Sequence, residues 1–148
     1  MSTQRRRIAI WLSAGAVVTA LTSASWWLYQ ANLELDGKYP VSCGEAIHFL
    51  QTAQPPGTAR NRQCTRGQWQ TTWYNMDFQA PRTEAEAWLR STYPDARVTS
   101  DCVNADLCSR PSAPAGGPGD DSADHLRVDI RFEERDSAHV HVYGGTSN

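Results

Sequence analysis

Between residues 8 and 29 the chain carries no charged side chain, and Arg5-Arg6-Arg7 stands directly before that run. This feature decides how much of the chain is left to fold. A helix of 22 residues is about 33 Å long, enough to cross the hydrocarbon core of a bilayer. Setting the first 30 residues aside leaves 118 of 148, sufficient for one modest core and no second domain. The excess of arginine before the run puts residues 1–7 in the cytoplasm and everything after Tyr29 outside it. Trp26, Trp27 and Tyr29 fall where an outer aromatic belt sits, and Trp11 falls near the inner one.

Two readings of this segment stand side by side. In the leading one, residues 8–29 are a transmembrane helix or uncleaved signal anchor, residues 30–42 a stalk, and residues 43–148 an extracytoplasmic domain. In the other, Met1–Arg7 and Ile8–Leu21 are the first two regions of a cleaved signal peptide. Val18-Thr19-Ala20 and Thr22-Ser23-Ala24 then offer the small residues a peptidase needs. The polar dip at 22–25 favours cleavage, and the aromatic cluster after it favours retention. Both readings export the remainder. Arginine outnumbers lysine 13 to 1, which points to a GC-rich genome and a bacterial envelope.

Charge narrows the partners. Three of the 14 basic residues precede the apolar run, leaving 11 basic against 16 acidic residues and a net of −5 outside. A nucleic-acid binder would show a basic face instead. The expected partners are the bilayer, through residues 8–29, and a membrane or envelope protein.

Cys43, Cys64, Cys102 and Cys108 all follow the export segment. An even number of cysteines in an exported chain reads as a disulfide framework. Three connectivities are open, of which the local pairs Cys43–Cys64 and Cys102–Cys108 are favoured. No C-x-x-C pair is present, so neither a zinc finger nor a redox motif is expected.

The domain itself reads as α+β, in the order α-β-α-β-β-β, with an antiparallel sheet and a C-terminal hairpin. Ser42-Cys43-Gly44-Glu45 has the form of a capping box. Behind it Cys43, Ala46, Ile47 and Leu50 recur on one helical face, widened by Phe49 and Ala53, and Pro55-Pro56-Gly57 closes the helix. Residues 60–63 read as an exposed loop. Residues 68–79 predict one long strand with a bulge where the apolar parity changes near Trp73-Tyr74. A second capping box, Thr83-Glu84-Ala85-Glu86, opens a helix with Ala85, Trp88 and Leu89 inward, stopped by Tyr93-Pro94. Residues 96–102 predict a strand with Val98 inward. Residues 109–124 lack the apolar content to offset the entropy of ordering and read as a disordered insert.

The last element is the most regular. Leu126, Val128, Ile130 and Phe132 alternate with polar residues, as do Ala138, Val140 and Val142. Inward residues must face inward residues, so Phe132 pairs with Val140 or Ala138 and the loop has three residues, 135–137 or 134–136.

Two groups can carry chemistry. The outward face of the hairpin gathers His139, His141 and Tyr143, with Asp129 and Glu133 as partners for a divalent ion or a pH-responsive face. The bland reading is a solvated face of cross-strand pairs. Trp69 and Trp73 share a strand face opposite Tyr74, Met76 and Phe78, and one set is left for a partner, peptide or glycan unless both faces are covered. No G-x-S-x-G, H-E-x-x-H or phosphate-binding glycine loop is present. The expected function is therefore a membrane-anchored binding or accessory domain without cofactor. A secreted protein of the same fold and a small extracytoplasmic enzyme are the alternatives.

Overall fold

The computed structural model describes residues 2–112 and 122–147, with side chains described from Thr19 onward except that of Arg135. The chain divides into two compact units, residues 1–33 and 34–148. Helix α1 (Ser2–Leu35) makes up the first and runs on through the polar dip. The hydroxyls there bond to carbonyls three or four residues back: Thr22 Oγ1 donates to Thr19 O (3.0 Å), Ser23 Oγ to Thr19 O (2.9 Å) and Ser25 Oγ to Leu21 O (2.8 Å). Hydroxyls satisfied by their own helix do not interrupt it. Trp26, Trp27, Leu28 and Tyr29 are exposed. Among the residues whose side chains are described, no helix is long and apolar enough to cross a membrane.

The second unit is a small α+β domain built on one antiparallel sheet. Its elements are β1 (Tyr39–Pro40), α2 (Cys43–Leu50), β2 (Arg60–Trp69), β3 (Thr71–Pro81), α3 (Arg82–Thr92), β4 (Val98–Thr99), β5 (Leu107–Ser109), β6 (His125–Phe132) and β7 (Ser137–Gly145). The spatial order is β1-β2-β3-β7-β6-β5-β4, so the long strands β3 and β7 lie at the centre. Even-numbered residues of β3, β6 and β7 point to one face and are buried: Tyr74, Met76, Phe78, Leu126, Val128, Ile130, Val140 and Val142. Both helices cover this face. Phe49 of α2 stacks on Tyr74 with ring centroids 4.3 Å apart, and Trp88 of α3 meets Phe78 edge-on at 5.1 Å. Among the described residues of this unit, no helix lies on the opposite face.

Two disulfides staple the domain, Cys43–Cys64 from α2 to β2 and Cys102–Cys108 across the approach to β5, and all four cysteines are thereby paired. Their presence fits an oxidising compartment. Half of the first capping box forms: the Ser42 hydroxyl accepts from Glu45 N at 3.2 Å, while the Glu45 carboxylate accepts from Tyr74 Oη. The C-terminal hairpin pairs Phe132 with Ala138, and a 3-10 turn (Glu134–Asp136) fills the three-residue loop.

Several expectations need correction. The domain reads β-α-β-β-α-β-β-β-β rather than α-β-α-β-β-β. The stretch 30–42 is not a stalk: α1 continues to Leu35, and Tyr39–Pro40 pairs with β2. Helix α2 ends at Leu50, before the prolines, because Gln51 turns left-handed (φ 47°) and donates its N–H to His48 O; Ala53 lies outside the helix and exposed. Residues 60–63 are exposed, as expected, but belong to β2. Residues 68–79 are a hairpin and not one strand, with Gln70 at the tip and Trp69 facing Thr71. Helix α3 starts at Arg82 without a side-chain cap, since β3 runs straight into it through Pro81. Residues 96–102 keep only Val98–Thr99 as strand. Of the expected insert, residues 113–121 lie outside the described residues. Its ends are ordered, with Ser109 and Ala123 buried and Ser112 bridging His125.

Candidate functional site

The uncovered face is polar because odd-numbered residues point to it. Strand register sets them in rows. Asp77 of β3 pairs with His141 of β7, which pairs with Asp129 of β6, which pairs with Cys108 of β5. One row away, Gln79 pairs with His139 and His139 with Arg131. On the other side Asn75 pairs with Tyr143 and Tyr143 with Arg127. His125, opposite Gly145, adds a third imidazole beside Tyr143, 5.8 Å between ring centroids.

Asp77 organises the centre. Its Oδ1 lies 2.9 Å from His141 Nδ1 and 3.2 Å from His139 Nε2, so one carboxylate oxygen orients two imidazoles. The hydrogen bond that His141 donates to the Asp77 carboxylate raises the His141 pKa above the usual imidazole value. Partial burial opposes that, the charges of Asp77 and Asp129 reinforce it, and Arg127 works against it. Arg127 is held by Asp129 at 2.8 Å. With neutral imidazoles the two carboxylates and the two guanidiniums of Arg127 and Arg131 balance.

The disulfide loop forms the wall. Arg131 Nη2 and Nε donate to Asn104 O (2.7 and 3.2 Å), and Asp106 Oδ2 accepts from Phe132 N (2.6 Å). The loop is thereby clamped to β6 and walls one side of an open groove of about 500 Å³, lined among others by Asp77, Asp129, Arg131, His139, His141 and Tyr143.

His139, His141 and Tyr143 are therefore brought together, and Asp129 joins them. Glu133 does not: its carboxylate accepts from Gln79 Nε2 (3.0 Å) and Ser137 Oγ (3.3 Å) beyond the end of the pairing. Among the described residues no three His, Cys, Asp or Glu side chains are placed to hold a metal ion. Both imidazoles end on the same Asp77 oxygen, and Asp129 is tied to Arg127. Asp77 was not singled out from the sequence. Its partners are 62 and 64 residues away, and the outward polar position in an aromatic-rich strand gave the only signal.

Trp69 and Trp73 face the same way from neighbouring strands and differ in setting. Trp73 packs against Gly67 and Gly37, where any Cβ would collide with the indole. Trp69 stands at the hairpin tip, 63% exposed. At the domain's N-terminal attachment, Tyr74 Oη donates to Glu45 (2.7 Å) and Arg66 pairs with Glu34 (2.7 Å). Burial first, and then the Glu45 hydrogen bond, raise the Tyr74 pKa.

Comparison with protein-family models, characterised proteins and solved structures finds no match to this chain.

Proposed function

We propose that the chain is a membrane-anchored, extracytoplasmic binding module, held by residues 8–29, whose ligand site is the walled polar face around Asp77, His139 and His141. The observation that carries this is the one-sided sheet. Its helices bury the middle of one face, while the other keeps three of the four histidines beside a disulfide-clamped loop. A solvated face would not need a wall, and the groove beside it brings several polar groups to converge on one place. The groove is lined by imidazoles, carboxylates and guanidiniums, which suit a ligand that carries both charges or several hydrogen-bonding groups. The uncharged run 8–29 behind three arginines supports the anchor, as do hydroxyls that are satisfied within α1.

Two measurements test this. Intact mass of the protein extracted from its native membrane is expected to match the full 148-residue chain with both disulfides closed; loss of about 20–24 residues supports the secreted reading. Full-length protein carrying Asp77→Asn is expected to lose a crosslinked partner that the wild type captures, at a temperature where both proteins are fully folded. Capture that is equal for both overturns the assignment of the face.

A further inference from the structure

The two ends of the sheet differ in charge. At the end holding the 134–136 turn, Arg60, Arg62, Arg82, Glu133 and Glu134 are exposed or half-exposed. At the other end the β2–β3 hairpin closes in Gln68-Trp69-Gln70-Thr71-Thr72, five residues without a charge. Trp69 is the most exposed aromatic side chain described in residues 34–148. The charged groups near this end are each tied: Glu34 to Arg66, Asp36 to Lys38, and Asp124 to Ser147.

This uncharged tip is also on the side from which the chain enters the domain. Strand β1 runs antiparallel to β2, with Tyr39 opposite Arg66, so the chain before Tyr39 heads toward the tip. Gly37 O accepts from Asn75 Nδ2, and Glu34 is held by Arg66. Arg66 and Trp69 are three residues apart on one strand, about 10 Å. Glu34 follows Tyr29, the last residue of the proposed anchor, by five residues. That is about 8 Å along a helix and at most about 18 Å in any conformation. Chain connectivity thus limits Glu34, which enters the domain on the tip's side of β1, to about 18 Å from Tyr29.

We infer that the hairpin tip 68–72 rests on the headgroup layer of the membrane that holds the chain, with Trp69 as its interfacial anchor. This rests on the anchor reading of residues 8–29. The partner is a lipid surface because the tip offers one indole flanked by amides and hydroxyls, the chemistry of a membrane–water interface. A stable protein partner needs about 800 Å² per side, several times what a single exposed indole supplies. With no cationic side chain in the tip, the contact does not depend on anionic lipid.

The test uses the full-length chain, labelled with 5-fluorotryptophan and reconstituted in phosphatidylcholine vesicles containing a headgroup nitroxide lipid. Trp69→Phe assigns its resonance. Trp26 and Trp27 report on the anchor, and buried Trp88 is the internal control. The expected result is loss of the Trp69, Trp26 and Trp27 signals by paramagnetic broadening, with Trp88 retained. Broadening of Trp26 and Trp27 with a sharp Trp69 overturns the tip contact and leaves the anchor standing. Sharp signals from all three overturn both. Broadening of Trp88 as well indicates a domain unfolded on the vesicle, which also overturns the proposal.

Discussion

The two faces of the central sheet are made from the same strands, alternate residue by alternate residue, and obey different rules. The even face is an interior: Met76, Phe78, Val128, Ile130, Val140 and Val142 are fully buried. The odd face holds its residues by register and hydrogen bonds, with Asp77 and the loop 101–106 as fixed points. Volume decides what the first face tolerates, and partners decide the second. A neighbouring pair of residues can therefore differ widely in cost, and that is where the contrast is most easily broken. Phe78→Ala is expected to destabilise by about 3–5 kcal/mol in a denaturant titration, since it removes the ring against which Trp88 packs. Gln79→Ala, one residue on, is expected to cost only about 0.5–1.5 kcal/mol, the worth of its exposed hydrogen bonds with Asn61 and Glu133. Equal costs would mean that the faces are not distinct.

The disulfides give a second version of the same contrast, one per face. Cys64 is buried among the even-face residues, opposite Met76, and its bridge spans 21 residues. Cys108 stands opposite Asp129 on the polar face, and its bridge spans 6. In the chain-entropy view the longer loop contributes more, about 3 kcal/mol against about 2. Cys43→Ser/Cys64→Ser should lower the melting temperature more than Cys102→Ser/Cys108→Ser. The second variant should instead loosen the wall, seen as faster hydrogen exchange over residues 101–106.

How much of this was readable depends on the range of the pairing. The 126–143 hairpin was legible down to its loop, because alternation and parity within adjacent segments leave only two registers and Phe132 took one of them. Ser42 and Glu45 likewise announced α2 by local chemistry. The hairpin at Gln70 was not legible, for a geometric reason. Trp69 pairs with Thr71 and Gln68 with Thr72, so the turn is symmetric about one residue and alternation continues through it unbroken. Gln70 carries none of the glycine, proline or asparagine signals that mark a turn. The parity change at Trp73-Tyr74, read as a bulge, is the polar face making room for an indole over two glycines. Of the site, His139, His141 and Tyr143 were visible as a strand face. Asp77, which joins them, arrives only through the long-range pairing of β3 with β7.

Those glycines limit the contrast between the faces. Gly67 is on the polar side, yet a methyl there would meet the Trp73 ring. Gly67→Ala is expected to cost about 1–3 kcal/mol, as overpacking does in a core. Combining Gly67→Ala with Trp73→Ala should recover part of that in a double-mutant cycle. A neutral Gly67→Ala would show that Trp73 moves freely and that the polar face carries no packing constraint.

The smallest effect is the one that belongs to the polar face alone. His141 has its pKa raised in the folded state by the hydrogen bond to Asp77, whereas the unfolded chain has the ordinary value of about 6.5. A raised basic group stabilises the fold below its unfolded pKa, and that contribution is lost as pH rises through the folded value. The wild type should therefore melt higher relative to Asp77→Asn at pH 5.5 than at pH 8.5. The amide of the Asp77→Asn variant can still accept a hydrogen bond but brings no charge to hold the imidazolium. His139→Ala should leave most of the difference in place, since His141 keeps its own 2.9 Å bond to the Asp77 carboxylate. Melting curves of the three proteins at the two pH values check this. A gap between wild type and Asp77→Asn that widens toward alkaline pH would mean that Asp77 stabilises neutral histidine instead, and the polar face would then be fixed by geometry rather than by charge.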